Sequence, residues 1–216
     1  MINVVFEGST GAGKTTIIKK VKEIYEKNYK VGVTNDIDKS TPLYNVIRKM
    51  YNDNVLVTLN ENFNTLRYET LLQAADYLFL REKIYSENND INLFDRSYFS
   101  VYSYQSVLLE NNIDNSQDFM NSVLSCMKSG DKKIDLLVFF DINIETSLER
   151  SQNRDNRKFT NYEKDIFKKF NNKMKDFINY NKSEFNLLII DDNDTMQEII
   201  NKITNKLNEI IELKNK

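Results

Sequence analysis

A chain of 216 residues, 40% hydrophobic and 29% charged, is long enough to bury the core of one globular domain. Its 30 Lys and Arg against 32 Asp and Glu leave a net charge of -2, which provides no general electrostatic footprint for nucleic acid or an anionic membrane, so any polyanion site must be local. The absence of histidine excludes imidazole catalysis and His-ligated metal, and the single cysteine, Cys126, excludes an internal disulfide.

Taken in chain order, "INVVF" predicts a strand, and "KTTIIKKVKEIYEK" a helix with Ile17, Ile18, Val21, Ile24 and Tyr25 at helical spacing. "KVGVTN" reads as a second short strand, followed by a loop through "DIDKSTP" and a helix starting near Leu43, with Pro42 in its first turn. "YETLLQAADYLFLREKIY" carries the long apolar stripe of a buried helix. "INLFD" is a buried strand and "YFSVYSYQSVLLE" the helix after it. "IDLLVFFDI" is the longest strand candidate, "IETSLERSQNR" starts a helix at Glu145, "NLLIID" is the last strand, and "TMQEIINKITNKLNEIIEL" closes the chain as an amphipathic helix.

Five apolar strands alternating with helices imply a parallel α/β sheet covered on both faces. No repeat or linker divides residues 1–216, which read as one domain. The polar stretch "QNRDNRKFT", Gln152 to Thr160, reads as a flexible lid. Cys126 reads first as a core residue and fits a reducing compartment. No apolar run approaches transmembrane length and the first residues lack a signal-type basic segment, so the cytoplasm is the expected location.

The stretch "FEGSTGAGKTT", Phe6 to Thr16, holds three of the five glycines. Gly8, Gly13, Lys14 and Thr15 satisfy the phosphate-loop pattern of two glycines five apart followed by Lys and Ser/Thr. Such a loop must curl around phosphates with its own N–H groups, and glycine allows the positive φ angles and close approach that this demands. Gly8, Ser9, Thr10, Gly11, Ala12, Gly13, Lys14, Thr15 and Thr16 are therefore assigned to ATP, with Lys14 reaching the β/γ-phosphates and the Thr15 hydroxyl on Mg2+. The plain alternative, a glycine turn with Lys14 solvated, is outweighed by the position of the motif between strand and helix.

A second cluster, "LFDRSYFSVYSYQ", ends a strand with Asp95 and Arg96. An open α/β sheet places ligands at the carboxyl ends of its strands, where Asp95 can hold water around Mg2+ and Arg96 can neutralise phosphoryl oxygens.

On these two motifs the chain resembles the thymidylate kinase family, within the nucleoside and nucleoside monophosphate kinases. "DRSYFSVYSYQ" keeps the family spacing of Asp-Arg, Ser100 and Tyr104-Gln105. "DIDKSTPL" is similar to the loop in which a carboxylate and a cation, here Asp38 and Lys39, face the acceptor phosphate. "LLQAAD" resembles the base-pocket helix and "NYEKDIF" the segment whose Tyr162 approaches the base. The resemblance implies a three-layer P-loop kinase fold with a five-stranded parallel sheet and a lid at about 150–161. It also implies ATP and Mg2+ as cofactors, phosphorylation of dTMP to dTDP, and a homodimer.

Gln73 stands where the family usually has an aromatic residue, Tyr77 where it has a base-reading arginine, and Thr10 where an acidic residue is often found. A glutamine on that helix also resembles deoxynucleoside kinases, and a catalytically altered nucleotide-binding protein is a further alternative. Because the phosphate loop lacks an arginine, the resemblance requires one from the lid. Arg150, Arg154 and Arg157 are the candidates, with Arg154 favoured for the γ-phosphate. A nucleoside acceptor would instead need a general base, for which Asp36 or Asp38 is the candidate.

Overall fold

The seven residues of the opening strand, β1 (Ile2–Gly8), are all buried, which makes it the centre of the sheet rather than an edge. The computed structural model describes residues 1–35, 38–47, 63–110 and 114–214. After β1 come α1 (Lys14–Tyr25), β2 (Val31–Thr34), α2 (Phe63–Ser86), β3 (Ile91–Asp95), α3 (Tyr98–Glu110) and α4 (Ser116–Ser129). The remaining elements are β4 (Leu136–Phe140), α5 (Ile144–Asp155), α6 (Asn161–Asn181), β5 (Asn186–Ile190) and α7 (Met196–Lys214). The strands form one parallel sheet in the order β2-β3-β1-β4-β5.

Side chains alternate across β1. Ile2, Val4 and Phe6 pack with Ile17, Ile18 and Val21 of α1 and with Ile199, Ile203 and Leu207 of α7 on one face. Val5 faces the other layer, among Phe94, Phe99, Val123, Met127, Met174 and Ile178. Each buried aliphatic side chain contributes about 1.5–3 kcal/mol relative to exposure, so the two apolar layers hold β1 from both sides. The parallel register sets Phe6 beside Asp95 and Gly8 beside Phe140, and so brings the ends of β1, β3 and β4 to one rim.

Several expectations are corrected. The helices α4 and α6 were not singled out by periodicity, because Asn, Lys and Ser dilute the buried positions Met120, Val123, Met127 and Ile166, Phe170, Met174, Ile178. Helix α2 is not wholly buried: Tyr68, Leu71 and Phe79 are 55%, 53% and 38% exposed on one face. Strand β5 is an edge and only Ile190 of it is fully buried, while Leu187 and Leu188 pack partly buried against the apolar layers on opposite faces of the sheet. Cys126 is exposed on α4 rather than in the core. Beyond a turn through Thr41–Leu43 and helical residues 44–47, the helix expected near Leu43 lies outside the described residues. Helix α5 runs to Asp155, so the first half of the stretch expected to be a flexible lid is helical. Thr160 then opens α6 with a capping box to Glu163.

Candidate active site

The phosphate loop leaves β1 and enters α1 through three glycines with positive φ: Gly8 at 139°, Gly11 at 77° and Gly13 at 92°. Two of them also meet neighbours closely. A Cβ on Gly8 would lie 2.7 Å from the carbonyl oxygen of Phe140, and one on Gly11 would lie 2.0 Å from that of Ser147 on α5. Gly13 caps α1 without a side-chain hydrogen bond, leaving the amide ends of the helix directed at the loop. The Ser9 hydroxyl oxygen is buried with no hydrogen-bond partner. A buried hydroxyl without a partner in a loop bent by three positive-φ glycines fits a phosphate-binding cradle, in which the bound phosphate would supply the acceptor oxygen.

Lys14 lies folded over this loop, its Nζ donating to the carbonyl oxygens of Gly8 at 3.1 Å and Ser9 at 2.9 Å. From the β3 side, Arg96 Nη1 donates to the same Gly8 oxygen at 3.1 Å, and also to Ser100 Oγ at 3.0 Å and Tyr104 OH at 2.9 Å. Thr15 Oγ1 donates to Asp95 Oδ2 at 2.7 Å. The structure thus brings Lys14, Thr15, Asp95, Arg96, Ser100 and Tyr104 together at one rim.

Arg154 reaches the loop indirectly. Its guanidinium is bound by Asp155 at 2.8 and 2.7 Å and donates to Ser151 Oγ at 3.2 Å, while Ser151 Oγ lies 3.3 Å from Thr10 Oγ1. It is near enough to Arg96 for the two charges to oppose each other. Arg157 is held by Glu163 of the capping box, and no hydrogen bond or ion pair is described for Arg150.

The acceptor-side expectations are gathered less tightly. Asp38 Oδ1 accepts from the amide of Ser40 at 2.8 Å; burial pushes its carboxyl up, but the Ser40 hydrogen bonds and the charge of Lys83 outweigh this and hold it below its usual value. Lys39 is exposed, and among the described residues Lys83 of α2 reaches this loop, donating to Ser40 Oγ at 2.6 Å. Asp36 lies outside the described residues. Gln105 is buried and accepts from Thr70 Oγ1 at 2.9 Å. Gln73 is half-buried on α2, and Tyr162 is 56% exposed at the start of α6. Tyr77 is committed elsewhere: its hydroxyl donates to Asp131, which also pairs with buried Arg81.

Two buried carboxylates escaped the sequence reading. Glu7, 0% exposed, accepts from Ser97 N, Ser97 Oγ, Ser100 N and Ser100 Oγ at 2.6 to 3.3 Å. Burial raises its carboxyl above the usual range, and the opposing pull of Arg96, Ser100, Ser97 and Lys14 does not cancel this. The signal was present as an acid inside an otherwise apolar strand, "VVFEG". Glu69 of α2, 1% exposed, has no hydrogen-bond partner at either oxygen, and burial pushes it up to about 7.

Among the described residues no group of three or more Cys, Asp or Glu side chains could hold a metal ion, and no helix is long and apolar enough to cross a membrane. Thr15 with Asp95 is a sparse oxygen set, which fits magnesium, an ion that retains several waters and takes further oxygens from phosphates.

The comparisons agree with this geometry. The thymidylate kinase family model matches residues 6–203. The chain is 31% identical over 209 residues to a probable thymidylate kinase of Methanococcus aeolicus, covering 94% of each, and 30% identical over 208 residues to the thymidylate kinase of Finegoldia magna, covering 92% of this chain and 94% of that one. In fold it is similar to the deoxyadenosine kinase of M. mycoides solved with the products dCMP and a flexible dCDP bound, at a TM-score of 0.72 and 17% identity, covering 96% of this chain and 100% of that one. A match from the strand before the phosphate loop to the closing helix, over a rim that assembles Lys14, Thr15, Asp95 and Arg96, shows that the chain belongs to the thymidylate kinase family.

Proposed function

We propose that the chain transfers the γ-phosphoryl group of ATP to dTMP, forming dTDP and ADP. The observation that carries this reading is the convergence of Lys14 Nζ and Arg96 Nη1 on the one carbonyl oxygen of Gly8, each at 3.1 Å. Two cations on one oxygen, one from the phosphate-loop helix and one from the end of β3, form the charge environment that phosphoryl transfer demands: donor phosphates on one side and acceptor phosphate on the other.

In this reading Gly8 to Thr16 bind ATP, and Lys14 neutralises its β/γ-phosphates. Thr15 and Asp95 would hold Mg2+, which would supply further neutralisation of charge on the same phosphates. Arg96 and Lys39, with Asp38 beside them, position the acceptor phosphate, while Ser100, Gln105, Gln73 and Tyr162 surround the nucleoside. Arg154 supplies the lid cation on the γ-phosphate, supported by its link through Ser151 to Thr10. A monophosphate acceptor is ionised at neutral pH and needs no strong general base.

Two further parts of the reading concern the whole molecule. Tyr68, Leu71 and Phe79 form an exposed apolar face on α2 at helical spacing, which supports a homodimer through that helix. A single, exposed cysteine supports a reducing, cytoplasmic setting.

The half-buried amide of Gln73 favours one second reading, a deoxynucleoside kinase, since an amide can pair with either of two base edges. Steady-state rates with dTMP, dUMP, dCMP, dGMP, thymidine and deoxyadenosine separate the two. We expect kcat/KM for dTMP to exceed that for thymidine by at least about 100-fold, because a nucleoside leaves the phosphate clamp without its anion. Faster turnover of any nucleoside than of every monophosphate overturns the reading.

A further inference from the structure

Arg96 is a non-glycine residue with φ at 76°, in the left-handed region. Such a conformation is unfavourable for a residue with a side chain and persists only where its surroundings over-determine it. The restraints are visible. The Arg96 amide donates to the carbonyl oxygen of Phe6 at 3.0 Å, and the next amide, of Ser97, donates to Glu7 Oε1 at 2.7 Å. Two consecutive residues of β1 therefore grip the two amides of the turn that carries Arg96.

The guanidinium is governed from the same carboxylate. Ser100 Oγ has one proton, and it donates that proton to Glu7 Oε2 at 2.6 Å. Its lone pairs are then directed away from Glu7, and one accepts from Arg96 Nη1 at 3.0 Å. A carboxylate accepts only, so it fixes this polarity; an amide in its place could donate to Ser100 Oγ and compete with Arg96 for the same lone pairs. Burying a carboxylate is unfavourable in itself, and burial pushes the Glu7 carboxyl up; the four donors from Ser97 and Ser100 are what compensate it.

We propose that Glu7 is a positioning residue for Arg96, holding its backbone left-handed through Ser97 and aiming its guanidinium through Ser100. The proposal rests on the phosphoryl-transfer reading above. Glu7 touches neither nucleotide; its effect is carried by Arg96.

The test is a double-mutant cycle on Glu7→Gln, Ser100→Ala and the combined variant, reading kcat and KM for dTMP, affinity for the fluorescent probe mant-ATP, and Tm. Glu7→Gln is expected to leave mant-ATP affinity within about threefold and Tm near the parent's, while kcat/KM for dTMP falls by at least about 30-fold. Ser100→Ala is expected to lower it by about tenfold, and the double variant to be no worse than Glu7→Gln, because both changes break one chain of contacts. Turnover by Glu7→Gln equal to the parent's, or losses that multiply in the double variant, would overturn the proposal. Should Glu7→Gln fail to fold, Glu7→Asp, whose shorter carboxylate cannot span Ser97 and Ser100 together, takes its place in the cycle, with parental kcat/KM as the refuting result. A parent enzyme that turns over a different acceptor refutes the dTMP reading only, and the same cycle is then read with that acceptor. If no acceptor is turned over, calorimetric binding of dTMP reads the cycle instead.

Discussion

The hydroxyl of Thr15 donates to the carboxylate of Asp95 across 2.7 Å, joining the first turn of α1 to the end of β3. If this pair holds Mg2+ as proposed, Thr15→Ala and Asp95→Asn each lower kcat/KM for MgATP by at least about tenfold and move the Mg2+ dependence of the rate to higher concentration. A magnesium titration of the initial rate at fixed ATP checks this. An unchanged dependence in both variants removes the pair from the metal site.

In the proposed mechanism the Lys14 ammonium meets charge that develops on the phosphates, so Lys14→Ala is expected to lower kcat by about 10²–10³ or more. The side chain bonds two loop carbonyls rather than the apolar core, so the circular dichroism spectrum and the cooperativity of unfolding are retained. A coupled ADP-release assay reads the loss, and a variant keeping more than about a tenth of parental activity refutes the assignment.

Gly11→Ala places a Cβ at 2.0 Å from the Ser147 carbonyl oxygen at a residue whose φ is 77°. Neither backbone can yield without separating the phosphate loop from α5. Loss of mant-ATP binding by at least about tenfold is expected, with a fall in Tm of several degrees.

The lid arginines should part by phenotype. If Arg154 is the lid cation as proposed, Arg154→Ala lowers kcat with little change in ATP affinity, as befits a group engaged chiefly in the transition state. Arg157→Ala instead removes the partner of Glu163 at the start of α6, so it lowers Tm with a smaller effect on kcat. Steady-state kinetics and thermal melts of the two variants check the division, and the reverse pattern transfers the role to Arg157.

Glu69 carries a pH signature of the fold. Its folded carboxyl sits near 7 against 4.5 when unfolded, so between those values the folded state binds more protons. Stability is therefore full below about pH 4.5 with respect to this group and declines as pH rises through 7. Glu69→Gln should leave Tm nearly unchanged at pH 5 and raise it by about 3–6 °C at pH 8. Equal shifts at both pH values would show that burial does not hold this carboxyl neutral.

The phosphate loop and the Asp95-Arg96 pair were legible in the sequence because their chemistry is local: backbone curvature requires glycine at fixed offsets, and a carboxylate and a guanidinium stand out after an apolar strand. Strands β1, β3 and β4 were legible for a similar reason, since burial on both faces leaves continuous apolar runs. Helices α4 and α6 were not, as polar residues thin their stripes and only the packed partner reveals which positions are inside. The exposure of Cys126 and of Tyr68, Leu71 and Phe79 likewise depends on what lies across from each helix, which no window of sequence contains.

Glu7 marks the division most clearly. The sequence by itself determined that an acid interrupts an apolar strand directly before the phosphate loop. Only the tertiary structure decided that this acid meets Ser97 and Ser100, some ninety residues further on, and through them Arg96. The register of β1 beside β3 brings the two stretches together, and register is a property of paired strands rather than of either alone.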